Sequence, residues 1–365
     1  MKTKSDSDNL RFLGCFFEAG CGQKTLHMLW LRIFYLLKPL IPRKIQILLR
    51  RRRARAIWRR VGRNCLPQNY VAEKPVRWPE PYLAAAIVTH DVETDVGQAN
   101  IDALRKIESS YGVTSCWNFV VKRYQVDQAL VRQLANNGHE IGVHGLYHDG
   151  KEFSSPRVFK ERWKAIERAA REWGARGFRS PSLLYDEALL KTIGMSWDSS
   201  MPSWDPFQPG SPGCGRFFPF MLNEQCVELP VSLWQDFTLF EELEFRSISV
   251  WRKQIDFVYE SHGLITVIVH PDYMLSEERL GYFRELLEYL LAKDRLWMTT
   301  PAQIADWVRG VSISPKKDWR PIANPSPQQN RMFQNTESCS PVNGRRFGGS
   351  LATLRKPWRA LHGQK

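Results

Sequence analysis

The fold is indicated most directly by one stretch, Glu-Ile-Gly-Val-His-Gly-Leu-Tyr-His-Asp at residues 140–149. The first four residues are typical of a short buried strand, which ends on two histidines, His144 and His148. If the chain turns helically after the strand, this spacing places both imidazoles on one side. Neutral imidazole is the commonest protein ligand of divalent metals, and α/β folds place their chemistry at strand carboxyl ends. Taken alone, such a pair more often marks two surface or structural histidines.

Polar residues also follow other apolar segments of the sequence, at the point where each predicted strand ends. Fully apolar strands are typical of a parallel sheet that is covered by helices on both faces. The segments between them have helical periodicity. Strand–helix alternation, repeated about seven times over roughly 225 residues, suits a (β/α) barrel. The predicted strands include 83–89, 177–178, 195–197 and 263–269, and the predicted helices include 99–111, 127–137, 156–173 and 276–293.

Five motifs at these strand ends resemble, in their order and spacing, the polysaccharide deacetylase family. This family is also called the NodB-homology domain or carbohydrate esterase family four. The resemblance covers about residues 83–308 and implies a distorted (β/α)7 barrel that removes acetyl groups from N- or O-acetylated sugars with one bound divalent metal. The motifs are Thr-His-Asp-Val-Glu (89–93), His-Gly-Leu-Tyr-His (144–148), Arg-Ser-Pro (179–181), Asp-Ser-Ser (198–200) and Ile-Val-His-Pro (268–271).

The predicted organisation is therefore an α/β protein with three parts. Residues 81–310 are predicted to form the distorted (β/α)7 barrel of a polysaccharide deacetylase-like domain. Residues 1–80 are predicted to be a basic, amphipathic N-terminal helical extension. Residues 311–365 are rich in Pro, Ser, Asn, Gln and Arg with little periodicity, so we expect a disordered basic tail.

The resemblance and the chemistry of the residues together imply a metal site. Glu93, His144 and His148 are the expected ligands of a divalent ion, with zinc as the expected metal. Two histidines and one carboxylate leave positions open for water and for a substrate carbonyl. Strand alternation supports Glu93 as the ligand, since it places the side chain on the same side as Asp91.

The same resemblance implies catalytic roles for four further residues. Asp91 is the expected base, and Arg179 would pair with Asp91 and keep its carboxyl group ionised. His270 is the expected acid that protonates the leaving group. Asp198 would hold the His270 imidazole in its charged form.

The chain departs from the commonest form of the motifs at two positions. Val92 stands where the family usually has a metal-binding aspartate, and Gly145 stands where it usually has Ser or Thr. His90 should point to the opposite face of its strand from Asp91. An alternative interpretation is therefore a barrel that binds carbohydrate without catalysis. A second alternative is an amidase-type hydrolase of a small molecule, since some relatives of this barrel open cyclic ureides.

Charge is distributed in blocks along the chain. Of the formal net charge of +14, residues 1–80 hold +13 and residues 311–365 hold +8, so residues 81–310 carry −7. The basic character belongs to the two ends and says nothing about the substrate of the barrel. No nucleic-acid-reading motif accompanies the arginines, so we expect no specific nucleic-acid partner. The seven cysteines lack metal-ligand spacing and do not indicate a disulfide framework.

The N-terminal extension has two interpretations, which the sequence leaves open. The apolar run at residues 26–37 is shorter than the about 20 residues that a transmembrane helix needs. It also lacks the features of a signal peptide, so we expect a cytoplasmic protein. An apolar piece beside the arginines of residues 50–60 suits an anionic membrane surface, which residues 26–60 would bind at the inner face. The alternative is a solvated helix that packs on the outside of the barrel.

Overall fold

The computed structural model describes residues 42–61, 65–66, 76–208, 210 and 212–310. These residues form nine strands, which all belong to one sheet. The strands are β1 (Ala84–Val92), β2 (Cys116–Phe119), β3 (Glu140–Val143), β4 (Gly177–Phe178), β5 (Trp197–Asp198), β6 (Phe220–Met221), β7 (Val227–Glu228), β8 (Leu264–Val269) and β9 (Leu296–Thr299).

The sheet is predominantly parallel and curls toward closure. Its order is β6-β7-β5-β4-β3-β2-β1-β8, with β9 paired to the first half of β1. Only β6 runs antiparallel to its neighbour among these strands. Backbone hydrogen bonds from Leu264 to Phe217 (2.9 Å) and from Leu233 to Thr266 (3.4 Å) connect segments near β6 and β7 to β8. The prediction of an α/β protein with a distorted barrel is confirmed, and seven parallel strands run from β7 to β8.

Helices connect the parallel strands, as the periodicity predicts. The helix at Pro156–Trp173 shows how the sequence sets the two ends of a helix. The Ser155 hydroxyl accepts the Val158 N–H and Pro156 occupies the first turn, while Gly174 ends the helix at φ 66°. The helices are α1 (Arg43–Arg60), α2 (Asp95–Ala99), α3 (Ile101–Ser110), α4 (Gln128–Asn136), α5 (Pro156–Trp173), α6 (Glu187–Leu190), α7 (Ser249–Glu260), α8 (Glu277–Leu291) and α9 (Pro301–Val308), with a 3-10 turn at Pro181–Leu183 and a π-helix at Phe237–Glu242.

The central strand β1 explains why polar residues can collect at one end of the barrel. All nine residues of β1 are buried, and β1 pairs with β2, β8 and β9. Its neighbours in the sheet run parallel to it, so their carboxyl ends meet at the same edge. Residues that follow β1, β3, β4 and β8 therefore lie within reach of one another.

Helix α1 packs on the outside of the barrel against the π-helix. Its buried side chains include Ala54, Ile57 and Trp58. The Trp58 ring meets those of Trp234 and Phe245 edge to face, with centroids 6.0 and 5.5 Å apart. Helix α1 thus packs on the barrel as the second interpretation of the extension expected, and a membrane role for it remains a prediction.

Some predictions for the two ends concern residues outside the described ranges. These are the apolar run at 26–37 and the tail at 311–365. The domain boundaries at residues 80 and 310 likewise remain predictions. None of the helices in the described ranges combines the length and the apolar character that crossing a bilayer requires.

The packing of α1 gives a first testable expectation. Trp58→Ala should lower the free energy of unfolding by about 3–5 kcal/mol, because Trp58 is only 1% exposed and the substitution leaves a cavity between α1 and the barrel. Denaturant unfolding followed by far-UV circular dichroism measures this change. Arg52→Ala, at an exposed position of the same helix, is the control and should change stability by no more than about 0.5 kcal/mol. Equal stability of the two variants would contradict the docking of α1.

Candidate metal centre and active site

The end of β1 presents two carboxylates on the same side, as strand alternation predicts. Asp91 and Glu93 both face the site, whereas Val92 between them is fully buried in the core. His90 points the other way: its Nε2 lies 2.8 Å from Glu108 Oε1 on α3, and its ring stacks on Trp117. Val92 therefore serves as a core residue, and the carboxylate that the family usually has at this position is provided by the next residue, Glu93.

The segment after β3 does not turn helically, so helical spacing is not what brings the two histidines together. Two residues adopt left-handed backbone conformations instead, Gly145 at φ 68° and His148 at φ 54°. A Cβ on Gly145 would also lie 2.5 Å from Pro181 Cγ. Both the left-handed backbone conformation and the lack of space for a side chain therefore favour glycine here. The Leu146 N–H donates to buried Glu152 (2.6 Å), which supports the turn where the family uses a hydroxyl.

Glu93, His144 and His148 nevertheless converge as potential metal ligands. One ligand atom from each lies within 4.8 Å of the others. Nε2 of both histidines is buried and has no hydrogen-bond partner in the described residues. His148 Nε2 approaches Glu93 Oε1 to 2.9 Å, but without hydrogen-bond alignment. Orphaned buried nitrogens are costly, and this donor set fits a divalent cation.

The protonation states of these side chains also suit a cation. His144 Nδ1 lies 3.1 Å from the Arg179 carbonyl oxygen, which can only accept, so Nδ1 carries the proton and Nε2 is free to bind. Burial, together with nearby His148, lowers the pKa of His144 to about 4. Burial alone would raise the pKa of Glu93, but the adjacent His148, together with His270 and His144, holds this pKa well below its usual range.

Asp91 lies beside the three candidate ligands and is held by two donors. Its Oδ1 accepts from Asn118 Nδ2 (2.8 Å) and from Arg179 Nη1 (3.2 Å), so the predicted Arg179–Asp91 pair is present. Oδ2 faces His144 Nε2 at 3.9 Å. Burial raises the pKa of Asp91, but His144, Arg179 and His270 together lower it to about 2. Asp91 is therefore a carboxylate with one oxygen directed at the candidate metal centre.

Asn118 was not predicted as a site residue, although a signal was present in the sequence. Asn118 is a polar residue in the middle of the buried strand β2. Its side chain occupies the space beside Gly142 of β3, where an added Cβ would meet Asn118 Oδ1 at 2.0 Å. A buried amide in an apolar strand needs partners, and the carboxylate at the end of the adjacent strand provides one.

His270 faces the same centre, but its carboxylate partner is not the predicted one. Asp236 Oδ1 lies 2.6 Å from His270 Nδ1, and Asp236 Oδ2 accepts the His270 backbone N–H at 2.7 Å. His270 Nε2 is 3.8 Å from Glu93 Oε1. Burial lowers the pKa of His270, but Asp236 outweighs this effect and raises it to about 10. His270 is therefore an imidazolium at neutral pH, with Nε2 directed toward the candidate ligands.

The prediction that Asp198 holds His270 is wrong, because Asp198 is engaged elsewhere. Its carboxylate accepts from the Ser200 hydroxyl (2.8 Å) and the Ser200 N–H (3.1 Å), next to Glu228 of β7. Burial raises the pKa of both carboxyls, and Asp198 raises that of Glu228 further. Asp198 thus shapes the turn after β5, whereas Asp236 reaches His270 from the start of the π-helix.

A second layer around Glu93 was also not predicted. Asp272 accepts the Glu93 N–H (2.9 Å) and also bonds the Thr94 hydroxyl. The Tyr273 hydroxyl lies 3.4 Å from Glu93 Oε2, and Arg123 Nη1 lies 3.7 Å from the same oxygen. These groups fix Glu93 on the side away from His148. Their only sequence signal is that residues 272–273 directly follow the His270 motif.

Comparison with known proteins supports this fold. The sequence matches no model of a known family and no curated protein. The structure is similar to that of a Mycobacterium smegmatis protein assigned as a polysaccharide deacetylase (TM-score 0.52, 20% identity, 69% of this chain and 99% of that chain). It is also similar to PuuE allantoinase (0.53, 13%, 66% and 96%) and to a Pseudomonas aeruginosa PAO1 protein assigned as a polysaccharide deacetylase (0.53, 14%, 67% and 98%).

These similarities define the class of fold. The chain has the fold of the polysaccharide deacetylases, and the resemblance that the five sequence motifs indicate is confirmed at this level. At such identities the likeness concerns the fold alone, so the activity has to be argued from the chain's own residues.

The convergence of three ligand atoms predicts metal binding that depends on both histidines. His148→Ala should weaken zinc affinity by more than about 100-fold, since even changes outside the ligand shell cost about 10–100-fold. Calorimetric titration of the metal-free protein with zinc measures this. His262→Asn, at an exposed histidine, is the matched control. Asp91→Asn should keep the affinity, and the roles of Asp91 and Glu93 are exchanged if it loses the metal while Glu93→Gln retains it.

The partner of His270 can be identified by its titration. Asp236→Asn should lower the pKa of His270 from about 10 to below 7, because burial then acts without its main opposing charge. The imidazole would become neutral at pH 7, which histidine nitrogen NMR of the metal-free protein detects. Asp198→Asn should leave this titration unchanged. The reverse pattern would restore Asp198 as the partner.

Proposed function

We propose that this protein is a metal-dependent hydrolase that removes acetyl groups from N- or O-acetylated sugars of a polysaccharide or its precursor. One observation carries the proposal: two orphaned imidazole nitrogens and a carboxylate converge next to an ionised aspartate and a protonated histidine. The fold of proteins assigned as polysaccharide deacetylases supports it. Deacetylation requires a base, an acid and stabilisation of an oxyanion, for which this arrangement offers candidates.

Glu93, His144 and His148 would hold the divalent ion, with zinc as the candidate. Such an ion would supply polarisation of the acetyl carbonyl and activation of the attacking water. The protein's own contribution is to orient these ligands. The Arg179 carbonyl fixes the His144 ring, and Asp272 fixes the backbone of Glu93.

Asp91 is the candidate base. Its Oδ1 is occupied by Asn118 and Arg179, which leaves Oδ2 to accept a proton from the attacking water. Its low pKa keeps it ionised at neutral pH, so it is ready to accept. The buried guanidinium of Arg179 pairs with this carboxylate, so the buried negative charge is compensated.

His270 is the candidate acid. Its Nδ1 is bonded to Asp236, so the proton on Nε2 is the one available to the leaving amine or alkoxide. Asp236 keeps the imidazole charged and fixes its orientation through the additional bond from the His270 N–H. The base thus lies beside His144 and the acid beside Glu93, so both are next to the candidate ligands. These groups argue against a barrel that only binds carbohydrate.

A hydrolase of small cyclic amides is the second candidate. The observation that favours it is the similarity in fold to PuuE allantoinase, of which 96% is covered. The same base, acid and cation would serve ring opening of a cyclic ureide. The two candidates differ in substrate size, so a substrate panel separates them.

The test of the proposed function combines such a panel with a base variant. With zinc present, the full-length protein should release acetate from acetylated oligosaccharides and leave allantoin intact. Asp91→Asn should lower kcat by about 10²–10⁴ without loss of metal, because the water loses its proton acceptor. Asp102→Asn, at an exposed carboxylate of α3, is the matched control. Ring opening of allantoin without acetate release would favour the amidase. A metal-loaded protein that is inactive on every substrate would contradict both.

A further inference from the structure

Helix α1 has an exposed face that combines aliphatic and cationic side chains. Ile45, Leu48 and Leu49 are 47%, 49% and 46% exposed. Arg52 and Arg59 are exposed at positions one and three turns further along the same face. We call these five residues the outer face of α1. Three large aliphatic side chains thus lie exposed on adjacent turns, whereas exposed apolar residues are ordinarily scattered singly.

The arginine cluster of α1 is divided between two faces. Arg51 and Arg55 pair with Glu244, and Arg50 lies 3.7 Å from Glu242. Arg53 donates to the Phe207 carbonyl at 2.6 Å. The inward-facing arginines thus belong to the contact with the barrel. Arg52 and Arg59 have no such role on this contact and contribute their charge to the outer face.

The charge of the outer face restricts what can cover it. Helix α1 contains no acidic residue, so no side chain of the helix neutralises its arginines. A second copy of the same face would be repelled by like charge. Nucleic acid would match the arginines but would leave the aliphatic residues in water. An anionic lipid surface matches both, since acyl chains take up aliphatic side chains while headgroups pair with arginine.

We infer that the outer face of α1 docks on the surface of an anionic lipid bilayer. This inference does not depend on the proposed catalytic function. It has a consequence for the site, because α1 packs on the π-helix. The Arg50 guanidinium lies 5.4 Å from the ring centroid of Phe237, the residue after Asp236. Docking through α1 therefore places the bilayer on the side of the barrel that carries the π-helix.

Co-sedimentation of the full-length protein with vesicles tests the inference. Binding should require phosphatidylglycerol in phosphatidylcholine vesicles and should weaken with salt, because the Debye length falls from about 10 Å at 0.1 M to about 3 Å at 1 M. Arg52→Gln/Arg59→Gln should lower the partition coefficient by about 30-fold, from the contribution of two surface arginines. Arg132→Gln/Arg171→Gln removes the same charge from exposed positions of α4 and α5 and should have a much smaller effect.

The aliphatic part of the outer face has its own matched pair. Leu48→Gln/Leu49→Gln should lower partitioning at least about tenfold, because the bilayer removes these side chains from water. Val96→Gln/Leu275→Gln changes two residues that are 49% and 57% exposed elsewhere and should leave binding unchanged. Near-UV circular dichroism of all variants checks that the barrel is folded.

Several results would overturn the inference. These are equal binding to vesicles of phosphatidylcholine alone, absence of binding, or equal binding of the outer-face variants and their controls. Binding to RNA that needs Arg52 and Arg59 but not Leu48 and Leu49, together with no binding to anionic vesicles, would assign the face to nucleic acid instead.

Discussion

The fully buried guanidinium of Arg179 is the contact on which the candidate site depends. Nη1 donates to Thr89 and Asp91 of β1, while Nε and Nη2 donate to the carbonyl and hydroxyl of Ser199 after β5. Its own carbonyl oxygen fixes the His144 ring. A buried cation must be paired and fully hydrogen-bonded, so this arginine ties three separate strand ends into one geometry. Removing it would take from Asp91 one of its two buried donors and part of the positive charge that keeps its carboxylate ionised.

A second connection ties the acid to the outside of the barrel. Asp236 holds His270 and immediately precedes the π-helix, and α1 packs on that π-helix. The Phe237 ring lies 4.9 Å from that of Tyr273, whose hydroxyl approaches Glu93. Helix α1 thus packs on the segment that follows Asp236, the residue that holds His270.

The two departures from the family motifs are accommodated without loss of a chemical group. Val92 fills the core, and Glu93 provides the carboxylate one position later. Gly145 allows Pro181 to approach the turn, and Glu152 supplies the support that a hydroxyl would give. Glu152 is buried and is in turn paired with Arg162 at 3.0 Å. The turn that carries both histidines is therefore anchored to α5 through Glu152 and Arg162, so the packing of α5 on the barrel helps to fix the geometry of the turn.

The sequence by itself determined the features that follow from local periodicity. Alternation along β1 places Asp91 and Glu93 on one side and His90 on the other, because successive side chains of a strand point to opposite faces. Apolar strands separated by amphipathic segments determined the parallel barrel, and that topology brings the ends of β1, β3, β4 and β8 together. This topology, together with the resemblance of the five motifs to the polysaccharide deacetylases, grouped Glu93, His144 and His148 as the expected metal ligands.

Only the tertiary structure decided which residues from other parts of the chain contact the candidate site residues. Asp198 ends β5 and Asp236 lies in the segment after β7, and the sequence offers no measure of which carboxylate reaches His270. The same holds for Asn118, Glu152 and the division of the α1 arginines between two faces. These contacts join residues that are distant in the chain, and their geometry is set by how loops and helices pack on the barrel. Sequence periodicity indicates which face of a single helix or strand is buried. These contacts depend on how different elements pack together, so the sequence pattern could not predict them.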